Sequence, residues 1–172
     1  MTRRDLVANL PNRATACQPV PESARTRLFR VFFNLFPAYR RTGGRVTHIA
    51  ADWSEVRVRL PLNWTTRNYV GTIFGGSLYG AVDPVYMIML LKRLGDDFIV
   101  WDKAATIHFR RPGRSTLRAA FHVPDEEIAA IRKALDAERS VDRVYTVDLV
   151  AEDGTVCASI EKTLYVRRKD GR

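Results

Sequence analysis

The stretch Asn68–Tyr69–Val70–Gly71–Thr72–Ile73–Phe74–Gly75–Gly76–Ser77–Leu78–Tyr79–Gly80–Ala81–Val82–Asp83–Pro84 decides how this chain is read. A polar loop residue leads into a Gly-Gly pair, an apolar helix opens there, and two turns on the helix carries one carboxylate. The first N–H groups of a helix have no intrahelical acceptor, and the dipole makes that end partly positive. Gly75 and Gly76 let a carbonyl approach the backbone closely, as an oxyanion hole requires. A carboxylate on the inner face of an apolar helix is costly to bury and calls for a reason. The pattern predicts a site for acyl-group chemistry, with Asp83, Asn68, Gly75 and Gly76 as its reacting and orienting groups.

The helix reads from Phe74 to Leu94, where Gly95–Asp96–Asp97 stops it. Upstream, Arg45–Ala51 and Glu55–Leu62 alternate as strands, Val56, Val58 and Leu60 against Arg57 and Arg59. Asp52–Ser54 links them without the glycine that tight hairpins favour. Downstream come strands Phe98–Arg110, Thr116–Val123, Arg143–Ala151 and Val156–Arg167, with a short helix opening at Pro124–Asp125–Glu126–Glu127. Residues 1–22 read as a loose basic arm, and 23–172 as one domain. Ser23 to Phe36 has helical spacing in Leu28, Val31, Phe32, Leu35 and Phe36, with Phe29 and Phe33 widening the apolar face. Two readings stand for it: a lid packed on the sheet, the favoured one, or a basic amphipathic helix on a membrane surface. The element order predicts an α+β fold, an antiparallel six-stranded sheet around a long central helix.

With 172 residues, 46% apolar and 27% charged, the chain suits one globular domain. Its net charge of +9, mostly from Arg, suits polyanionic partners or is simply a solvated surface. Nucleic-acid binding is disfavoured, because no helix-turn-helix, zinc pattern or aromatic-basic platform is present. Cys17 and Cys157 form no framework, and the first thirty residues hold no signal-like apolar core, so a cytoplasmic protein is expected. His48, His108 and His122 lack metal-ligand spacing, and no metal or redox cofactor is called for.

The pattern Asn68, Gly71, Gly75-Gly76, Asp83 resembles that of hotdog-fold acyl-CoA thioesterases of the phenylacetate type, with Phe74 where that branch has His. Gly71–Tyr79 followed by Asp83–Pro84, together with Val100–Ala105 and Leu164–Arg167, resembles the DUF4442 group of hotdog proteins. The resemblance spans roughly Leu28 to Arg167. It implies the hotdog fold, a homodimer or dimer of dimers with Phe98–Arg110 pairing across the boundary, and an acyl-CoA substrate needing no other cofactor. It implies further that Asp83, about 12 Å along the helix from Gly75, works with the partner subunit's glycines as base or nucleophile.

Each residue also has a plainer reading. Asp83 before Pro84 makes a good N-cap, and Pro84 would kink the helix against Gly80, which has room for it. Asn68 is a usual turn residue. Phe74 cannot bond a carbonyl, which argues against dehydration and leaves hydrolysis to backbone donors. Ser77 offers a hydroxyl or a cap, and Tyr79 is expected to line the acyl tunnel. Lys103, beside Asp102, is expected to hold substrate, steady Asp83 or form an interface salt bridge. Arg67, Arg110, Arg111 and Arg114 are candidates for the coenzyme A phosphates, or belong to solvated loops. Thioester hydrolysis leads, and acyl-CoA binding without hydrolysis is the alternative.

Overall fold

A computed structural model describes residues 20–169. Six antiparallel strands form one sheet: β1 (Arg45–Ile49), β2 (Glu55–Leu60), β3 (Phe98–Phe109), β4 (Leu117–His122), β5 (Ser140–Val150) and β6 (Val156–Arg168). Their order is β1-β2-β4-β5-β6-β3, so β1 and β3 are the two edges. Alternation sets the faces: Leu117, Ala119 and Phe121 of β4 turn to the core, and Arg118, Ala120 and His122 turn out. The β1–β2 link meets its missing glycine with Trp53 at φ 63°. That left-handed backbone costs about 1–2 kcal/mol, against which the Trp53 ring packs edge-on 4.8 Å from Phe29.

The expected central helix is present but broken. It consists of α3 (Gly75–Gly80) and α4 (Val85–Leu94), with a turn at 81–84 between them. Pro84 has no N–H to continue the ladder, and regular pairing resumes with the Ile88 N–H to the Pro84 carbonyl. The carbonyls left at the break find other donors. The Tyr39 hydroxyl donates to Ala81 O at 3.0 Å, the Val85 N–H reaches Val82 O, and the Lys162 ammonium donates to Asp83 O at 2.6 Å. Tyr39 comes from a short helix that the sequence reading, which ended the first helix at Phe36, did not anticipate: α2 (Pro37–Thr42), with Pro37 in its first turn. α5 (Asp125–Ala137) lies between β4 and β5. Its buried Glu127 accepts from Arg143 and from the Tyr145 hydroxyl, which pins the helix to β5.

α1 (Ala24–Leu35) starts at a reciprocal Ser23–Thr26 capping box. The face expected to pack is turned outward: Phe29 and Phe33 meet the core, whereas Leu28, Val31, Phe32, Leu35 and Phe36 are exposed. Polar clasps decide this orientation. Asn34 donates to Val46 O and accepts from Val46 N, both at 2.8 Å. Glu22 accepts from the Ile49 N–H and from Arg30. These bonds fill outward-facing backbone groups of β1 and close that edge to further strands. Glu22 thus belongs to the folded body, as does Pro21, whose carbonyl accepts from the Ala51 N–H, while residues 1–19 of the expected arm lie outside the described residues.

Burial alone would raise the Glu22 carboxyl, but Arg30 and the Ile49 N–H outweigh it and hold it below its ordinary 4.5. A lowered native value means stability fully present above about pH 4.5 and lost as the pH falls through the native value. Glu22→Gln is expected to remove this acid-side component, as read by urea midpoints between pH 3 and 7. Asn34→Ala is expected to cost about 1–3 kcal/mol, because two backbone groups of β1 lose their partner.

Candidate active site

At the helix break, Asp83 meets a lysine that the sequence reading did not single out. Lys162 of β6 is fully buried at 0% exposure. Its Nζ lies 2.6 Å from Asp83 Oδ1 and 2.6 Å from Asp83 O. Asp102 Oδ1, from β3, is 2.9 Å away. An ammonium has three protons, and here it finds three acceptors. The ring of Tyr79 lies beside it, 5.6 Å from Nζ to centroid, a cation–π distance. Burial pushes the Tyr79 phenol well above its ordinary range, and the negative charges of Asp83 and Asp102 push the same way. It therefore stays a neutral donor beside the carboxylates. The Asp83 side chain remains 39% exposed and that of Asp102 30%, so the lysine is sealed inside while the acids reach solvent.

Lys103, for which steadying Asp83 was one of three readings beside substrate contact and an interface salt bridge, does not reach Asp83. It points to the other face of β3 and pairs with Asp142 of β5 at 2.6 Å, both half exposed. Sequence-adjacent strand residues face opposite ways, and the inner acid found its cation on the adjacent strand. A signal for Lys162 existed: it stands in register with Ile160, Leu164 and Val166, the inward set of β6.

A second cluster surrounds the start of α3. Among the described residues the N–H groups of Gly75 and Gly76 have no hydrogen-bond acceptor. Aromatic rings crowd both glycines. A Cβ at Gly76 would fall 2.4 Å from the Phe74 ring, and one at Gly75 would fall 3.2 Å from that of Phe109. Ser77 is buried and does not cap the helix, whose N-cap residue, Phe74, offers no side-chain cap. Asn68 spends its side chain on its own turn: Oδ1 accepts from the Val70 and Thr72 N–H groups, and Nδ2 donates to Thr72 Oγ1. It holds the loop entering α3, and one amide hydrogen is left for anything else.

The four candidate arginines converge on this end. Arg67 bridges Ile73, the Ile73 N–H donates to Gly113 O, and Phe109 against Gly75 directly precedes Arg110 and Arg111. Arg67, Arg110, Arg111 and Arg114 are all exposed and make no ion pair among the described residues. Acid and glycine pair sit toward opposite ends of β3 in one protomer, Asp83 by way of Asp102 and Gly75 by way of Phe109.

A six-stranded antiparallel sheet in this order, wrapped around a central helix, defines a hotdog-fold protein. The chain belongs to the DUF4442 family, whose model, described as a domain of unknown function, matches residues 25–166. Similar solved structures include a Pseudomonas aeruginosa protein of unknown function described as a probable thioesterase. That likeness has a TM-score of 0.74 at 22% identity and covers 87% of this chain and 99% of that one. A Chlorobaculum tepidum protein of unknown function matches with TM-score 0.67 at 14% identity, over 84% and 95% of the two chains. A Haemophilus influenzae thioesterase matches with TM-score 0.60 at 14% identity, over 81% and 88%. At these identities the likeness is one of fold. No curated protein sequence matches.

Removing a buried cation strands the charges it served. Lys162→Met is expected to lower unfolding free energy by about 3–5 kcal/mol, whereas Lys103→Met, on an exposed pair, should change it by under about 1 kcal/mol. Urea unfolding of the two variants checks the contrast.

Proposed function

We propose that the chain hydrolyses acyl-coenzyme A thioesters, with Asp83 of one subunit and the Gly75–Gly76 amides of its partner forming each site. The observation that carries this reading is the Asp83 carboxylate, fixed from beneath by Lys162 at 2.6 Å yet still 39% exposed. A carboxylate so held is a positioned base or nucleophile. As base, it takes a proton from water, and the water oxygen adds to the thioester carbonyl carbon. The developing oxyanion accepts from the glycine N–H groups. The carbon–sulfur bond then breaks, and the thiolate leaves with the proton, giving a free acid and coenzyme A. As nucleophile, Asp83 itself attacks the carbonyl carbon and the carbon–sulfur bond breaks, releasing the coenzyme A thiolate. Water then cleaves the mixed anhydride to the free acid and the Asp83 carboxylate, and its released proton goes to the thiolate.

Open edge β3 supports the two-subunit arrangement. β1 is capped by Asn34 and Glu22, but among the described residues β3 has a bare outer edge with Trp101 67% and Phe109 61% exposed. Pairing β3 with its own two-fold copy sets its Asp102 end beside the partner subunit's Phe109 end, which brings Asp83 toward the partner's Gly75. The unpaired arginines around that end suit the phosphates of coenzyme A. Tyr79 and the apolar lining of α4 suit the acyl chain.

One observation favours a second reading, binding without turnover. The Phe74 ring stands where a side chain at Gly76 would be, and a phenyl cannot bond a thioester carbonyl.

Incubation with acyl-CoAs of several chain lengths, following free thiol, separates the two. Hydrolysis is expected, and Asp83→Asn should lower kcat by about 10²–10⁴-fold. Retained acyl-CoA with no thiol released would replace the enzyme reading with the binding one. Thr106→Arg, near the middle of β3, sets like charges face to face in a two-fold pair. It should halve the sedimenting mass and abolish turnover together; loss of mass with turnover intact would refute the shared site.

A further inference from the structure

The outward face of α1 has no partner among the described residues. Leu28, Val31, Phe32, Leu35 and Phe36 are between 48% and 63% exposed. Their spacing places them on one continuous stripe, while Phe29, Phe33 and Asn34 hold the other side of the helix to the sheet. Contiguous apolar surface of this kind on a soluble domain marks a binding face.

The charge around the stripe has one sign. From Ala24 to Thr42 there is no acidic residue, and Arg25, Arg27, Arg40 and Arg41 are all exposed. Arg25, Arg40 and Arg41 make no ion pair among the described residues, and Arg27 has only a 4.0 Å approach to Glu22 while remaining 68% exposed. Arg25 and Arg27 flank the stripe on the helix itself, and α2, the next element, carries Arg40 and Arg41 in its last turn.

We infer that the α1 face docks on an anionic lipid surface, its apolar side chains entering the acyl boundary while the flanking arginines meet lipid phosphates. Complementarity of charge selects this occupant. A second copy laid on the same face would oppose arginine with arginine on a chain of net charge +9. The segment before Val20 carries Arg3, Arg4 and Arg13 against a single acid, Asp5, and meets the same repulsion. Strand addition at β3 leaves the face bare, because α1 packs on β1 at the far edge of the sheet. The inference stands whether or not the chain is a thioesterase.

Full-length protein is sedimented with vesicles of phosphatidylcholine, alone or mixed with phosphatidylglycerol. Binding to the mixed vesicles, weakened by salt and nearly absent on phosphatidylcholine alone, is expected. Leu28→Ser with Phe32→Ser and Leu35→Ser alters only exposed side chains and should weaken binding at least about tenfold, with circular dichroism unchanged. Replacing Arg25, Arg40 and Arg41 by Gln should weaken it to a similar extent and reduce its salt dependence. No binding to the mixed vesicles overturns the inference, as does equal binding by the serine variant. A lower sedimenting mass of the serine variant without lipid also overturns it, by making the stripe a contact between copies.

Discussion

Lys162 places a positive charge in the protein interior at the point where the central helix breaks. A lone buried ammonium is prohibitively costly, so its position is tolerable only because three oxygens converge on it. Two of them come from the helix break and one from β3. In an unbroken helix the Asp83 carbonyl would be taken by the N–H four residues on, and the lysine would lose an acceptor. The kink that Pro84 imposes thus leaves this carbonyl to the buried cation. One group ties β6, β3 and the α3–α4 junction, and its geometry fixes where the Asp83 carboxylate emerges.

Tyr39 extends the same logic to α2. Its hydroxyl takes the Ala81 carbonyl, so the helix break draws in the N-terminal helices as well as the sheet. α1 and α2 are for that reason part of the architecture around the site rather than an appendage. Burial pushes the Tyr39 phenol well above its ordinary range, which keeps the donor protonated.

Much of the fold was legible because its signals are local. Alternation in Glu55–Leu60 and Leu117–His122, the stop at Gly95 and the pairing of Asp83–Pro84 with a small residue at Gly80 each act within a few residues. What stayed hidden depends on contacts distant in sequence. Periodicity marks an apolar stripe on α1 but does not say which stripe faces inward; Asn34 decides that, by finding the backbone of Val46. Lys103 drew attention by standing next to Asp102, whereas the lysine that matters lies sixty residues on, brought alongside by β3–β6 pairing. Asn68 illustrates the opposite case, a residue whose ordinary local chemistry accounts for nearly all of its bonds.

The two edges of the sheet are unequal, and this has a bearing on how such a chain can assemble. With β1 sealed by Asn34 and Glu22, β3 is the edge of the sheet that stays open among the described residues. A body with one sticky border can be joined once, and the join consumes it. Were two such chains to pair along β3, strand addition would stop at a closed pair rather than run on into a fibre.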